Sequence, residues 1–223
     1  RQTGGATGYW VHDSNVTESQ QTLGQIKLTP HTVGALTDIR RSLLKQSSVG
    51  AEQFVINDLS LTLAHAMDDK AINGSGAAGE PLGIVNVTGI GAKSFSTAGS
   101  PTYAELGDTW AEVAQDNAAR GNLRWVTNAA MAAYLMTTDV STSTGRFMME
   151  NDTIMGYPVH LSEYIASNYI LYGNWSDVVV AMWGAIDINV DTSTGSAAGT
   201  VRIVALQDCD IALRHVVSMT TGS

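Results

Sequence analysis

The chain has 223 residues, of which 44% are hydrophobic and 15% are charged, and it contains 22 glycines but only 4 prolines. This composition is typical of a folded protein with a buried core and excludes an intrinsically disordered chain. The formal net charge is -9, from 21 acidic and 12 basic side chains. Because an acidic chain repels phosphate, the charge argues against a sequence-reading nucleic-acid binder.

The single cysteine, Cys209, cannot form an internal disulfide, so the fold is expected to stand without covalent cross-links, as in a reducing compartment such as the cytoplasm. No apolar run approaches the roughly 20 residues of a bilayer span, so no membrane segment is expected. Because the chain opens with Arg1 and not with methionine, we also expect residues upstream of it in the gene product.

The first thirty residues contain few large apolar side chains and form two extended runs around a polar tip, residues 13–19. This pattern predicts a long β-hairpin. A lone two-stranded hairpin is marginal in water and has unpaired backbone groups along its edges, so we expect a neighbouring subunit to cover it. The alternative interpretation is a disordered N-terminal tail.

A long helix is predicted after Ser47 and Ser48, whose hydroxyls suit an N-cap, and it continues to about Ile72. Its apolar residues recur at steps of three and four, which predicts one buried stripe along the helix. The stripe consists of Ile56, Leu59, Leu63 and Met67. The pair Asn73-Gly74 ends the helix, since both residues tolerate the left-handed conformation.

Two shorter helices follow. The first is predicted from Ser100-Pro101, an N-cap followed by proline, and the second is capped by Asn128 and continues to about Thr137. Their inward-facing residues are predicted to be Tyr103, Leu106, Trp110 and Val113 in the first helix, and Met131 and Leu135 in the second. Strands are predicted at Leu123–Thr127, Gly156–Leu161, Tyr169–Tyr172, Val178–Trp183, Ala185–Val190, Thr200–Leu206 and Asp210–Val217. The predicted fold class is α+β.

The residue patterns that carry chemistry give little support to an enzyme. The glycine-rich run 74–79 fits the G-x-G-x-x-G pattern, but it follows a helix and not a strand, so it is expected to be a turn. Asp68 and Asp69 point about 100° apart on a helix and do not converge. The five histidines are scattered, and Cys209 lies between two aspartates, which raise the pKa of a thiol. No catalytic residue, metal site or cofactor is therefore expected.

Taken together, seven segments resemble the major capsid protein of tailed bacteriophages, of the Hong Kong 97 type, over nearly the whole chain. The segments are Trp10-Val11 before the Glu18-Ser19 tip, Met67–Gly76, Gly79–Ile84, Trp125–Asn128, Gly145-Arg146, Met155–Val159 and Ile170–Ser176. The resemblance implies an extended loop at 1–29, a peripheral domain at 30–82 and 185–215 with a long spine helix, and an axial domain at 83–184 and 216–223.

The resemblance also implies a role for the chain. It implies a virion protein that assembles in the host cytoplasm, as pentamers and hexamers, into an icosahedral shell enclosing double-stranded DNA without sequence-specific binding. Scaffolding, portal and decoration proteins are further implied partners. Loop residues expected to contact a neighbouring subunit are Trp10, Val11, Asp13, Asn15 and Glu18.

Some members of this family join neighbouring subunits by a Lys–Asn isopeptide bond. Here the tip 13–19 has no lysine and the region 192–200 has no asparagine, so no such cross-link is expected. Two alternatives remain open: an encapsulin-like nanocompartment that encloses an enzyme, and a soluble enzyme that uses Asp68, Asp69 and a histidine. The contents of purified particles distinguish the first from a virus, and a small oligomer with a closed pocket would support the second.

Overall fold

The computed structural model describes residues 2–4, 20, 22–46, 51–141 and 145–223. The expected contact residues of the loop and the serines of the first N-cap lie outside these ranges. The strands are β1 (Gln2–Gly4), β2 (Thr22–Leu23), β3 (His31–Arg40), β4 (Gly91–Lys93), β5 (Leu123–Thr127), β6 (Thr153–Ile154), β7 (Tyr157–Leu161), β8 (Ile170–Asn174), β9 (Val178–Asp191), β10 (Thr200–Leu213) and β11 (Met219–Gly222). The helices are α1 (Arg41–Gln46), α2 (Ala51–Asn73), α3 (Tyr103–Gln115) and α4 (Ala129–Thr137).

The first two strands form a small antiparallel ladder of their own. Gln2 lies opposite Leu23 and Gly4 lies opposite Thr22. This pairing agrees with the hairpin predicted for the first thirty residues, while the predicted tip lies outside the described part of the chain.

A three-stranded antiparallel sheet, in the order β3-β10-β9, carries α2 on one face. The helix buries Leu59 and Leu63 against Ile39 and Ile203 of the sheet. The long helix and the centre of its apolar stripe are therefore confirmed. Ile56 and Met67, at the two ends of the predicted stripe, are only partly buried.

The sequence prediction divided each of the two longest strands in two, and this was wrong. Both β9 and β10 are single strands of 14 residues. Gly184 adopts a φ of +78°, and the register shifts opposite it between Leu206 and Asp208, as at a β-bulge. Gln207 stays paired with Val33 of β3, and its side-chain amide donates to the carbonyls of Gly184 and Asp208.

A six-stranded sheet, in the order β4-β11-β8-β5-β7-β6, forms the second layer. Its last strand, β11, was not predicted, because the predicted strand 210–217 continued past the point where β10 ends at Leu213. Helices α3 and α4 cover one face over a cluster that contains Trp125 and Tyr172, whose ring centroids are 4.3 Å apart. On the other face, Ile72 at the end of α2 packs against Val126.

The predicted start of α3 was also wrong. The N-cap is Thr102 and not Ser100, because the Thr102 hydroxyl accepts from the backbone N–H of Glu105. The Glu105 carboxylate in turn accepts from the backbone N–H of Thr102, which completes a capping box. Asn128 caps α4 as predicted, and Leu106, Val113, Met131 and Leu135 are buried as predicted. No helix in the described ranges is long and apolar enough to cross a membrane.

Candidate assembly surface

The five loop residues predicted to contact a neighbour, Trp10, Val11, Asp13, Asn15 and Glu18, lie outside the described residues, so their placement stays a prediction. The described residues carry another feature suited to contact between molecules, which the sequence analysis missed. It lies on the three-stranded sheet and on the outer side of α2.

Strand β9 is a long edge strand with little to prevent pairing with another chain. Its 14 residues include no lysine, arginine or proline, and its only charged side chains are Asp187 and Asp191. Edge strands of monomeric proteins are normally short, charged or covered, because their free N–H and C=O groups bind other strands. The edge of β9 is therefore suited to contact with another molecule.

A row of apolar side chains follows this edge strand on the face that α2 covers elsewhere. Val190 lies opposite the buried Ile203, and Met182 lies opposite the buried Cys209. The helix packs mainly over β3 and β10 and reaches Ile188 of β9, while four other apolar side chains on this face of β9 stay between 37% and 56% exposed. We call this group the edge row; it consists of Val180, Met182, Ile186 and Val190.

The opposite face of the sheet carries a second group, which we call the sheet patch. It consists of Leu36, Trp183 and Leu206, each at least 39% exposed. Polar pairs border it: Arg202 donates two hydrogen bonds, of 2.8 and 2.9 Å, to Asp38. An apolar centre with a polar rim is the usual anatomy of a protein–protein interface.

The ion pair at this rim is a surface feature. Both Asp38 and Arg202 are partly exposed to solvent. The hydrogen bond from Arg202 lowers the pKa of Asp38, and the same bond raises the pKa of the guanidinium. Such exposed pairs orient a surface more than they stabilise a fold. The outer side of α2 also exposes Phe54 and Leu61, so apolar side chains occur on both sides of this layer.

Of the candidate enzyme residues, Asp69 and His65 make structural contacts, whereas Asp68 lines an open cavity that Arg124 and His160 also line. Asp69 lies 3.5 Å from the ammonium group of Lys70 and accepts from the Asn73 amide. His65 contacts the Tyr164 hydroxyl at 2.7 Å, as expected of a structural histidine. Burial, with smaller contributions from Asp210 and Asp208, raises the pKa of Cys209, so this thiol is not activated.

The glycine-rich run 74–79 is a turn after α2, as predicted. A side chain at Gly74 would lie 2.2 Å from the carbonyl oxygen of Pro81, so the tight turn requires glycine there. Lys70 and Glu80, 3.0 Å apart, bridge the turn to the helix. No group of three or more metal-binding side chains occurs within the described ranges.

Comparison with known proteins identifies related sequences. The sequence model of the phage capsid family matches residues 1–222. The major capsid protein of Halomonas phage phiHAP-1 is 28% identical over 208 residues, which are 93% of this chain and 34% of that protein. The chain therefore spans about a third of the length of this curated relative.

Solved structures match the fold at low sequence identity. The capsid of the empty GTA particle has a TM-score of 0.78 at 18% identity, covering 99% of this chain and 82% of that one. A structure from Mycobacterium phage Ogopogo has a TM-score of 0.74 at 16% identity, covering 100% of this chain and 84% of that one. The virus-like particle of Pyrococcus furiosus has a TM-score of 0.63 at 12% identity, covering 92% and 80%.

These likenesses confirm the α+β fold of the Hong Kong 97 type. The family is one of structural capsid proteins and not of enzymes. Because the family model covers residues 1–222 of 223, the chain belongs to the phage capsid family.

Proposed function

We propose that this chain is the shell-forming part of a major capsid protein of a tailed phage or prophage. Copies of it assemble as pentamers and hexamers into an icosahedral shell that encloses double-stranded DNA, and the protein is part of the virion. The observation that carries the proposal is the match of the capsid family to nearly the whole chain. The assembly surface supplies a physical reason for self-association, since exposed apolar groups are stabilised by mutual burial.

The two sheets correspond to the two expected domains. The sheet β3-β10-β9 with α2 is the peripheral domain, expected at 30–82 and 185–215, and α2 is its spine helix. The six-stranded sheet with α3 and α4 is the axial domain, expected at 83–184 and 216–223. Strand β9 begins at Val178, seven residues before the expected boundary at Ala185. The first seven residues of this strand therefore fall in the range expected for the axial domain.

The loop at 1–29 lies on a neighbouring subunit, with Trp10, Val11, Asp13, Asn15 and Glu18 in the contact. The ladder β1-β2 supports this role, because two short strands are too few for independent stability. Repetition over a closed shell multiplies a modest contact, as in multivalent binding. A variant that lacks 1–29 is expected to fold without closing shells; shells of normal size would contradict this role.

The subunit acts without catalysis and without a cofactor. Its net charge of -9 suits a container, since a strongly basic wall would hold packaged DNA in place. Neighbours are held by non-covalent contacts, and scaffolding, portal and decoration proteins are the further partners. Heated particles are therefore expected to give monomer-sized bands on a denaturing gel, and a ladder of covalent multimers would contradict this.

The proposal is tested by purifying the protein from bacteria, either after expression from its gene or after phage infection or induction, and imaging it by negative-stain electron microscopy. Closed particles whose DNA resists added nuclease are expected from phage-infected or induced cells. A small, soluble oligomer at all concentrations would contradict the shell. Particles that contain a co-purifying enzyme and no DNA would indicate the encapsulin-like nanocompartment instead.

A further inference from the structure

An open cleft of about 550 Å³ lies between the C-terminal half of α2 and the six-stranded sheet. Side chains from α2, β5, β7 and the start of β9 line it. The apolar part of its wall consists of Ala71, Ile72, Ile84, Val126, Trp175, Val178 and Val180. Because Val180 also belongs to the edge row, the cleft is continuous with the surface that neighbouring copies are proposed to cover.

The polar part of the wall contains a cation without an anionic partner. Arg124 of β5 is half-buried, and no carboxylate of the described residues lies within 4.0 Å of its guanidinium. Other cations with described side chains that lack such a partner are exposed to water; they are Lys27, Arg40, Arg41, Arg120 and Arg214. Removing water from a cation costs free energy unless an anion or other acceptors replace it. Arg124 is therefore suited to bind a carboxylate from outside the subunit.

Two neighbouring side chains hold this guanidinium in place. Nε of Arg124 donates to Oδ1 of Asn122 at 2.7 Å, and Nη1 contacts Nε2 of His160. Since a guanidinium has five N–H donors, three of them are left without a partner among the described residues. A guanidinium that is held in advance loses less entropy when it binds a carboxylate.

The cleft also contains one carboxylate, that of Asp68 on α2. Asp68 is exposed, so water hydrates it, and hydroxyl or amide donors can take the place of that water. A small free anion gains little beside this negative charge. The charges favour an occupant that brings a carboxylate for Arg124, hydrogen-bond donors for Asp68 and an apolar side chain for the wall.

The tip of the N-terminal loop, residues 13–19, has this combination of groups. It contains two carboxylates, one valine and no lysine or arginine. Its side chains that can donate hydrogen bonds are Ser14, Asn15, Thr17 and Ser19. Residues 5–21 connect β1 to β2, and as two extended arms of about eight residues they would reach roughly 27 Å. That length is enough to cross a helix of a neighbouring copy, which is about 10 Å wide.

We propose that the tip of a neighbouring copy occupies this cleft, with Val16 against the apolar wall and the carboxylate of Asp13 or Glu18 on Arg124. Side-chain donors of the tip bind Asp68. This inference rests on the proposed function, because it requires assembled copies, and it names the place where the loop of one copy binds the next. Tip and cleft are different surfaces, so each copy gives one contact and receives one, as in a closed ring.

The direct test is a disulfide between tip and cleft in assembled particles. Val16→Cys and Ser162→Cys place thiols at the tip and on the cleft wall, while the native Cys209 is buried. Because a disulfide requires Cα atoms within about 7 Å, oxidation is expected to link neighbours into a ladder on a non-reducing denaturing gel. In the control, Val16→Cys is combined with Ala130→Cys, an exposed position on α4 across the sheet. We expect at least about tenfold fewer linked subunits there.

A charge swap tests the role of Arg124. Arg124→Glu repels the tip and is expected to lower particle yield at least about tenfold. Adding Asp13→Arg and Glu18→Arg to the same chain restores opposite charges at every contact, so the yield is expected to recover. Arg120→Glu makes the same change at an exposed position outside the cleft and is expected to retain the yield.

The cysteine pair keeps Arg124, so the test stays decisive if Arg124→Glu fails to fold. Particles in which the cleft pair links no more subunits than the control pair would overturn the proposal and leave the shell function intact. Equal yields of Arg124→Glu and Arg120→Glu particles would overturn it as well. Failure of the unmodified protein to form particles would instead contradict the proposed function.

Discussion

The two sheets of this molecule differ in how far they bury their own apolar side chains. The six-stranded sheet has short edge strands, β4 with three residues and β6 with two, and it encloses a cluster whose members include the fully buried Trp125 and Tyr172. The three-stranded sheet has edges of 10 and 14 residues and exposes apolar groups on both faces. We infer from this difference that the six-stranded layer contributes more to the stability of the isolated subunit and that neighbouring copies complete the three-stranded layer.

The largest expected effect is on particle assembly and comes from substitutions in the edge row. The double variant Met182→Lys with Val190→Lys places two charges where neighbouring copies are expected to bury the row, so particle yield is expected to fall more than about tenfold. Because both side chains are exposed in the subunit, its free energy of unfolding is expected to change by less than about 0.5 kcal/mol for each substitution. Sedimentation and chemical denaturation measure the two effects.

A control pair separates the position of these charges from their number. Gln115→Lys and Ala130→Lys add the same charges at exposed positions of α3 and α4. Particle yield is expected to be retained in this variant. If the two double variants assemble equally well, the edge row is not an interface.

The next largest effect is on the free energy of unfolding and comes from substituting one tryptophan in each sheet. Trp125→Ala empties the core of the six-stranded sheet and is expected to lower the free energy of unfolding by about 3–5 kcal/mol. Trp183→Ala, in the sheet patch, is expected to cost no more than about 1 kcal/mol in the dissociated subunit but to weaken assembly. Equal losses of subunit stability would contradict the division of roles between the sheets.

A smaller effect concerns the start of α3. Thr102→Ala removes the N-cap and is expected to destabilise the subunit by about 1 kcal/mol. Ser100→Ala is the matched control, with an expected change near zero, because Ser100 is not the cap. Thermal unfolding of both variants measures the difference, and a reversed order would place the cap at Ser100.

The smallest effect depends on pH. Hydrogen bonds, first from Ser96 and then from Thr102, lower the pKa of Glu105 from 4.5 to about 2. A lowered carboxyl pKa contributes stability that is present above pH 4.5 and is lost as the pH falls toward about 2. The difference in unfolding free energy between the unmodified protein and Glu105→Gln is therefore expected to shrink between these pH values. A constant difference would show that ionisation of Glu105 contributes nothing.

The sequence predicted those elements whose local signals agreed with their packing. The long helix α2, strand β5 and the Asn128 cap of α4 were identified because periodicity and capping residues coincide there. Strands β9 and β10 were divided at Gly184 and at residues 207–209, because a glycine and a run of polar residues normally interrupt a strand. Only the register of the paired strands shows that these residues form a bulge.

The assembly surface could be predicted only in part from the sequence. The absence of lysine, arginine and proline from β9 was visible as a signal, but the strand looked like an ordinary core strand. Whether Met182 is buried depends on how far α2 reaches across the sheet, which is a property of tertiary packing.

Hydrogen exchange of the β9 amides, compared between dissociated subunits and assembled particles, tests the role of the three-stranded sheet most directly. The outward-pointing N–H groups of β9 are expected to exchange rapidly in the subunit and to become protected in the particle, while those of β5 and β8 stay protected in both. Equal exchange of the β9 amides in the two states would contradict the conclusion that neighbours complete this sheet.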